Sequence, residues 1–217
     1  MHLDVVEQER IAARVATLEA RTGAQLVTAV VGKSDAYPEV PWRAFALGAA
    51  IAALVTAVGS LFADQWQSGD SALYHAVVIL GSGAVLALLA LAITPLARLF
   101  TDRLRRDFEV TQFAQSLFFT RGLDHTRGRI GILLLVSLFE RKVVLLADDG
   151  FEGHIHADEW QALADRITVI LPRRNIGFAL RAGLDGMEAL LLERGFHAAG
   201  MAQNELPDPV LQLRGER

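Results

Sequence analysis

Three short stretches hold side chains able to do chemistry. In "LADDGFEG" two adjacent carboxylates, Asp148 and Asp149, end an apolar run, and Glu152 is the nearest third acid. Such hard oxygen donors suit calcium or magnesium. With a bound metal they are one route to phosphoester hydrolysis. Two carboxylates are few ligands for such an ion, and "DDG" is also the composition of an ordinary solvated turn, because Asp and Gly favour turns. In "GHIH", His154 and His156 fall on one side of an extended chain, a spacing that can chelate zinc or nickel. No cysteine or further histidine adjoins them, and a polar loop explains them without a metal. In "DHTRGR", His125 stands beside Arg127 and Arg129. That grouping can bind phosphate or supply a general acid, although a histidine closing the preceding helix needs no chemistry. Glu140 and Arg141 are expected to fix a turn.

The rest of the composition narrows the classes. The 217 residues contain no cysteine, which excludes disulfides, thiolate metal sites and cysteine nucleophiles. A net charge of -4 speaks against a dedicated nucleic-acid binder. "GLDG" lacks the Lys-Ser/Thr that a phosphate loop requires. Charges run through the first residues, where a signal peptide needs a basic start and an apolar centre.

With 52% hydrophobic and 21% charged residues, the apolar excess must be concentrated somewhere. It lies in residues 44–63, which carry no charge, and 73–97, where His75 is the only residue ionisable near neutral pH. About 20 helical residues rise about 30 Å, the thickness of a bilayer's hydrocarbon core. The two runs read as a transmembrane hairpin. Small residues four apart, at Ala46/Ala50, Ala49/Ala53/Ala57 and Gly83/Ala87, would let its helices approach closely. Lys33 and Arg43 precede the hairpin, and Arg98, Arg103, Arg105 and Arg106 follow it, whereas the loop "DQWQSGDS" has no Lys or Arg. By the positive-inside rule both termini are cytoplasmic. Trp42 and Trp66 bracket the first span as interfacial aromatics, and His75 is an interfacial histidine. The four arginines form a basic cluster able to face anionic lipid headgroups.

Around the hairpin lies a split domain. Ile11, Val15 and Leu18 have helical spacing, and Gly23 stops that helix. Residues 25–31 form a buried strand. One helix and one strand cannot fold alone, so the missing mass follows the second span. There a helix carries Leu104, Phe108, Phe113 and Leu117 and ends near Gly122. Strands 130–137 and 142–147 form an antiparallel hairpin. A further helix begins at Asp158, with Gln161 completing a capping box. The last has Leu180, Leu184, Met187 and Leu191 on its inner face and Gly195 as cap. This divides the chain into residues 1–33 with 100–196, an inserted hairpin at 44–97, and a loosely ordered tail at 197–217.

The element order, with "LEARTGAQLVTAVV" and "GILLLVSLFERKVVLLADDGFEGHI", resembles the TPM domain family, named for thylakoid lumen, Psb32 and MOLO-1 proteins. "HTRGRIGILLLVSLFERKVVLLAD" and "NELPD" are similar to a bacterial subgroup of short, membrane-embedded members often accompanied by LemA-type membrane proteins. The resemblance implies an α+β fold, a small mixed sheet flanked by helices, here interrupted by the two-helix hairpin. Many TPM domains carry an acidic-Asn-Gly segment before the apolar strand. These positions read "HTRGRIG" here, and arginine cannot ligate calcium.

The functional expectation is an integral protein of the bacterial cytoplasmic membrane whose TPM domain is a non-catalytic interaction module. Its expected partners are lipids, another membrane protein (LemA-like or a second TPM protein) and further copies of itself. The alternative is a metal-assisted phosphatase using Asp148, Asp149 and His125, with calcium or magnesium.

Overall fold

The computed structural model describes residues 3–62, 69–171, 175–198 and 210–213. The chain divides into two compact units, one made of Met1–Asp35 with Asp107–Arg217 and the other of Ala36–Arg106.

In the first unit, α1 (Val5–Thr22) buries Ile11, Val15 and Leu18 and stops at Gly23, whose left-handed backbone (φ 78°) turns its N–H onto the Glu19 carbonyl. The chain then enters β1 (Gln25–Val31). After the second unit come α5 (Arg103–Thr120), β2 (Gly131–Ser137), β3 (Lys142–Ala147), α6 (Ala157–Ile170), α7 (Ile176–Glu193) and β4 (Leu211–Leu213). The sheet order is β3-β2-β1-β4. β1 pairs parallel with β2, from Gln25↔Gly131 to Val31↔Ser137, and β3 returns antiparallel along β2.

Alternate strand residues serve two cores. Leu26, Val30, Ile132, Leu134 and Val136 join the inner residues of α1, α6 and α7, including Leu180, Leu184, Met187 and Leu191. Val27, Ala29, Val31, Leu133 and Leu135 join Val110, Ala114, Leu117 and Phe118 of α5. Helices thus cover both faces, which is why β1 and β2 are near-continuous apolar runs rather than alternating ones. A parallel pair also needs a crossover. Residues 32–130 supply it, with α5 as its packing helix, so the second unit is an insertion into a connection that the sheet already required.

Ion pairs hold α1 to α7. Arg14 meets Asp185 at 2.8 Å and also pairs with Glu188, which pairs in turn with Arg21. Burial pulls the Arg14 pKa down, but hydrogen bonds to Glu188 and Asp185 outweigh it and leave the group above its ordinary value.

The second unit contains α2 (Glu39–Phe62), α3 (Gly69–Ala92) and the short α4 (Thr94–Leu99). Glu39–Leu61 and Ala72–Ala92, with mean hydropathies of 2.1 and 2.2, are each long and apolar enough to cross a membrane. Ala44, Gly48 and Ala52 are the buried small residues of α2, four apart, and Gly83 and Ala90 are those of α3. A β-carbon on Gly48 would lie 2.8 Å from the Ser82 carbonyl oxygen and 3.1 Å from the Gly83 α-carbon. The contact therefore uses a different register of α2 from the alanine pairs expected, while Gly83 is in it as expected. Leu54, Val55, Leu61, Leu80 and Leu88 point outward.

Three further expectations are corrected. The second apolar helix ends at Ala92, not residue 97. Ile93 leaves the helical region (φ -113°, ψ 99°) ahead of Pro95, whose missing N–H cannot continue the ladder. α6 is capped by His156, not Asp158: the Glu159 carboxylate accepts the His156 N–H at 3.0 Å, and the His156 side chain closes the box. The tail is not loose throughout, since Leu211–Leu213 pairs parallel with Ala29–Val31 and the Gly32 N–H reaches the Leu213 carbonyl at 3.1 Å. The free edge of β1 offers hydrogen-bonding groups that a short strand can satisfy. Trp66 and "NELPD" lie outside the described residues.

Candidate functional site

The hairpin register sets the site. Pairing of Ile132 with Ala147 brings the residue after β3 beside the start of β2, and the Asp148 N–H donates to the Gly131 carbonyl at 2.9 Å. The approach to β2 is a tight loop of two single-turn helices, Leu123–His125 and Arg127–Arg129. Gly128 (φ 73°) and Arg129 (φ 54°) both have left-handed backbones, an uncommon conformation for a side-chain-bearing residue. A β-carbon on Gly150 would collide with the carbonyl oxygens of Gly128 and Arg129. Glycine is needed there because the two loops touch through their backbones.

This geometry directs Arg129 onto both members of the acidic pair. Its Nη2 lies 3.0 Å from Asp148 Oδ1, its Nε 3.4 Å from Asp148 Oδ2, and its Nη1 2.7 Å from Asp149 Oδ2. The Asp148 side chain is only 4% exposed, against 55% for Arg129 and 58% for Asp149. Asp148 Oδ1 also accepts the Asp149 N–H at 2.8 Å, capping the turn Asp149–Phe151. The hydrogen bond to Asp148 raises the Arg129 pKa, and the charges of both aspartates add to the effect. A guanidinium matches carboxylates in a fork and holds them as a permanent cation. Arg129 thus pairs with both carboxylates of the acidic turn.

The other candidates disperse. The His125 ring is exposed, with Nδ1 2.9 Å from Asp124 Oδ1. Glu152 closes the turn through its backbone N–H, 2.9 Å from the Asp149 carbonyl. His156 is spent on capping α6, and His154 meets Phe196 edge-on at 5.4 Å between ring centroids. Among the described residues no three His, Asp or Glu side chains converge as a metal centre. Within the basic cluster, Arg103 is exposed while Arg98, Arg105 and Arg106 are half-buried. Arg105 pairs with Glu39 at 3.1 Å and lies 6.0 Å from the Tyr37 ring centre.

A second polar group sits at the opposite end of the parallel strands. Buried Glu140 accepts the Ser34 N–H at 3.0 Å and the Ser137 hydroxyl, and the Ser34 and Ser137 hydroxyls are 3.2 Å apart. Glu140 does fix the turn, as its sequence position suggested, but it also clips the exit of β1 to that turn. Ser34 and Ser137 carried no sequence signal for this. For Arg129 and Asp148 the sequence signalled only nearness: an antiparallel hairpin centred on residues 138–141 places residue 131 opposite 148.

The family model for the TPM domain matches residues 95–190. The match begins after the inserted hairpin, which separates α1 and β1 from the rest of the domain in sequence. No curated protein matches the chain. The NMR structure of the BA42 protein from the psychrophilic bacterium Bizionia argentinensis is similar with a TM-score of 0.58 at 14% identity, covering 98% of this chain and 96% of that one. That likeness establishes a common fold. Over residues 95–190, the chain is similar to the TPM domain family.

Proposed function

We propose that this protein is an integral protein of the bacterial cytoplasmic membrane. Its α2–α3 hairpin spans the bilayer with both termini in the cytoplasm, and its TPM domain works as a non-catalytic interaction module. The reading of the domain rests on one observation above others: Arg129 pairs with both carboxylates of the acidic turn, Asp148 and Asp149. A metal-assisted phosphatase there would first have to displace an internal cation that cannot lose its charge at physiological pH.

The membrane reading rests on the two apolar helices and on the arginines that flank them. The partners proposed are anionic lipids, a second membrane protein of LemA or TPM type, and further copies of the chain. Reporters fused to either terminus are expected to behave as cytoplasmic, and one within residues 64–71 as external. Gentle solubilisation of native membranes is expected to recover the chain with another membrane protein. Recovery of the chain alone, together with phosphoester hydrolysis lost in Asp148→Asn/Asp149→Asn, would replace this reading with the phosphatase one.

A further inference from the structure

The helix that re-enters the domain carries an apolar stripe which the core does not use. Leu104 and Phe108 are one turn apart on α5 and are 85% and 66% exposed, so they share a face of the helix. The core-facing residues of the same helix are Val110, Ala114, Leu117 and Phe118. Leu99, at the end of α4, is also exposed. Singly, exposed leucines need no explanation. These three large apolar side chains, however, fall within ten residues of sequence directly after the second membrane-length helix, which ends at Ala92.

The charges in this stretch are also one-sided. Asp102 is paired with Arg43 at 3.1 Å, Glu39 with Arg105 at 3.1 Å, and Asp107 with Lys142 at 3.1 Å. Arg103 is exposed and has no ion pair among the described residues. Neutralised acids, a free arginine and a narrow apolar stripe at a helix start match the composition of a segment lying in the headgroup layer of an anionic bilayer. The chain between Ala92 and Arg103 is short and partly helical, which limits how far the stripe can be from the end of the preceding span.

We infer that Leu99, Leu104 and Phe108 insert into the cytoplasmic headgroup–acyl boundary. The start of α5 is then an interfacial anchor. This rests on the membrane reading above, and a protein docking on the stripe is the alternative occupant that the test separates.

The natural absence of cysteine makes single-site spin labelling direct. Cysteine would replace Leu54, Leu104, Phe108 or Phe119 in turn in the full chain, reconstituted into vesicles of phosphatidylcholine with phosphatidylglycerol. Leu54 reports on the span, and Phe119 is an exposed apolar residue farther along α5. Nitroxides at 54, 104 and 108 are expected to favour relaxation by oxygen over a water-soluble nickel chelate, with 104 and 108 shallower than 54 and 119 aqueous. Aqueous behaviour at 104 and 108 with a membrane signal at 54 would overturn the anchor and leave the hairpin standing. Aqueous behaviour at all four positions would overturn the membrane reading itself.

Discussion

Arg129 grips Asp148 with two nitrogens of its guanidinium, Nη2 at 3.0 Å and Nε at 3.4 Å, and buries the carboxylate almost completely beneath it. The pair joins the loop before β2 to the turn after β3. It also engages the two carboxylates that the sequence offered as metal ligands.

Removing either partner is expected to destabilise the first unit unequally. Asp148→Ala takes an acceptor from both Arg129 and the Asp149 N–H and is expected to cost about 1–3 kcal/mol. Arg129→Gln is expected to lower the thermal midpoint, and a double-mutant cycle should give non-additive losses. For the unaltered, chelator-treated protein, calcium or magnesium is expected to leave the midpoint unchanged. A bound ion at 100 times its dissociation constant would add about 2.7 kcal/mol, so a rise would mean that metal displaces Arg129.

The capping box of α6 carries a pH dependence. Chiefly because it accepts the His156 N–H, and also because of Arg194, Glu159 has its pKa lowered on folding. A depressed carboxyl stabilises the fold above its unfolded pKa and loses that contribution as pH falls through the folded value. Glu159→Ala is therefore expected to be less stable than the native chain at neutral pH. The difference should shrink below the ordinary glutamate range, where both carry no charge at this position. Denaturation midpoints across an acid series check it, and a difference constant with pH would contradict the linkage.

Within the second unit, close approach at Gly48 and Gly83 predicts intolerance of larger side chains. A β-carbon on Gly83 would sit 2.9 Å from both the ring and the carbonyl oxygen of Phe45. Gly83→Val should force the helices apart at roughly 1–3 kcal/mol. At Gly59 a β-carbon meets open space, and alanine there should be neutral. Thermal unfolding in detergent compares the two.

Glu140→Ala is expected to leave the Ser34 N–H and the Ser137 hydroxyl without their shared acceptor. The cost is about 1–3 kcal/mol, and amide exchange at Ser34 should accelerate. Retention of slow exchange at Ser34 would show that the clip is not what holds the exit of β1.

Much of the fold was legible in the chain. The 3.6-residue spacing of Ile11, Val15 and Leu18, the continuous apolar strands and the glycine at 23 report local energetics: burial on one face and left-handed backbone at a cap. The same holds for the inner face of α7 and for the length of the two apolar helices.

Other features depended on partners distant in sequence. His156 displaced Asp158 as the cap of α6 because Glu159 could reach back to its amide. Leu211–Leu213 became a strand because β1 had a free edge for it, and Glu19, in the helix before β1, accepts the Leu26 N–H at 2.6 Å. Ala44, Gly48 and Ala52 rather than Ala46, Ala50 and Ala57 became the buried small residues of α2, since the register of a helix pair is decided by how two surfaces fit and not by either sequence alone.

By itself, then, the sequence determined the order of most elements, the apolar faces of α1 and α7, and that a long apolar insertion interrupts the domain, because these follow from hydrophobic periodicity and backbone conformation read residue by residue. Only the tertiary structure decided that Arg129 meets Asp148 and Asp149. A salt bridge between loops depends on strand register and on a left-handed backbone at Arg129, and both are set by the packing of the whole sheet.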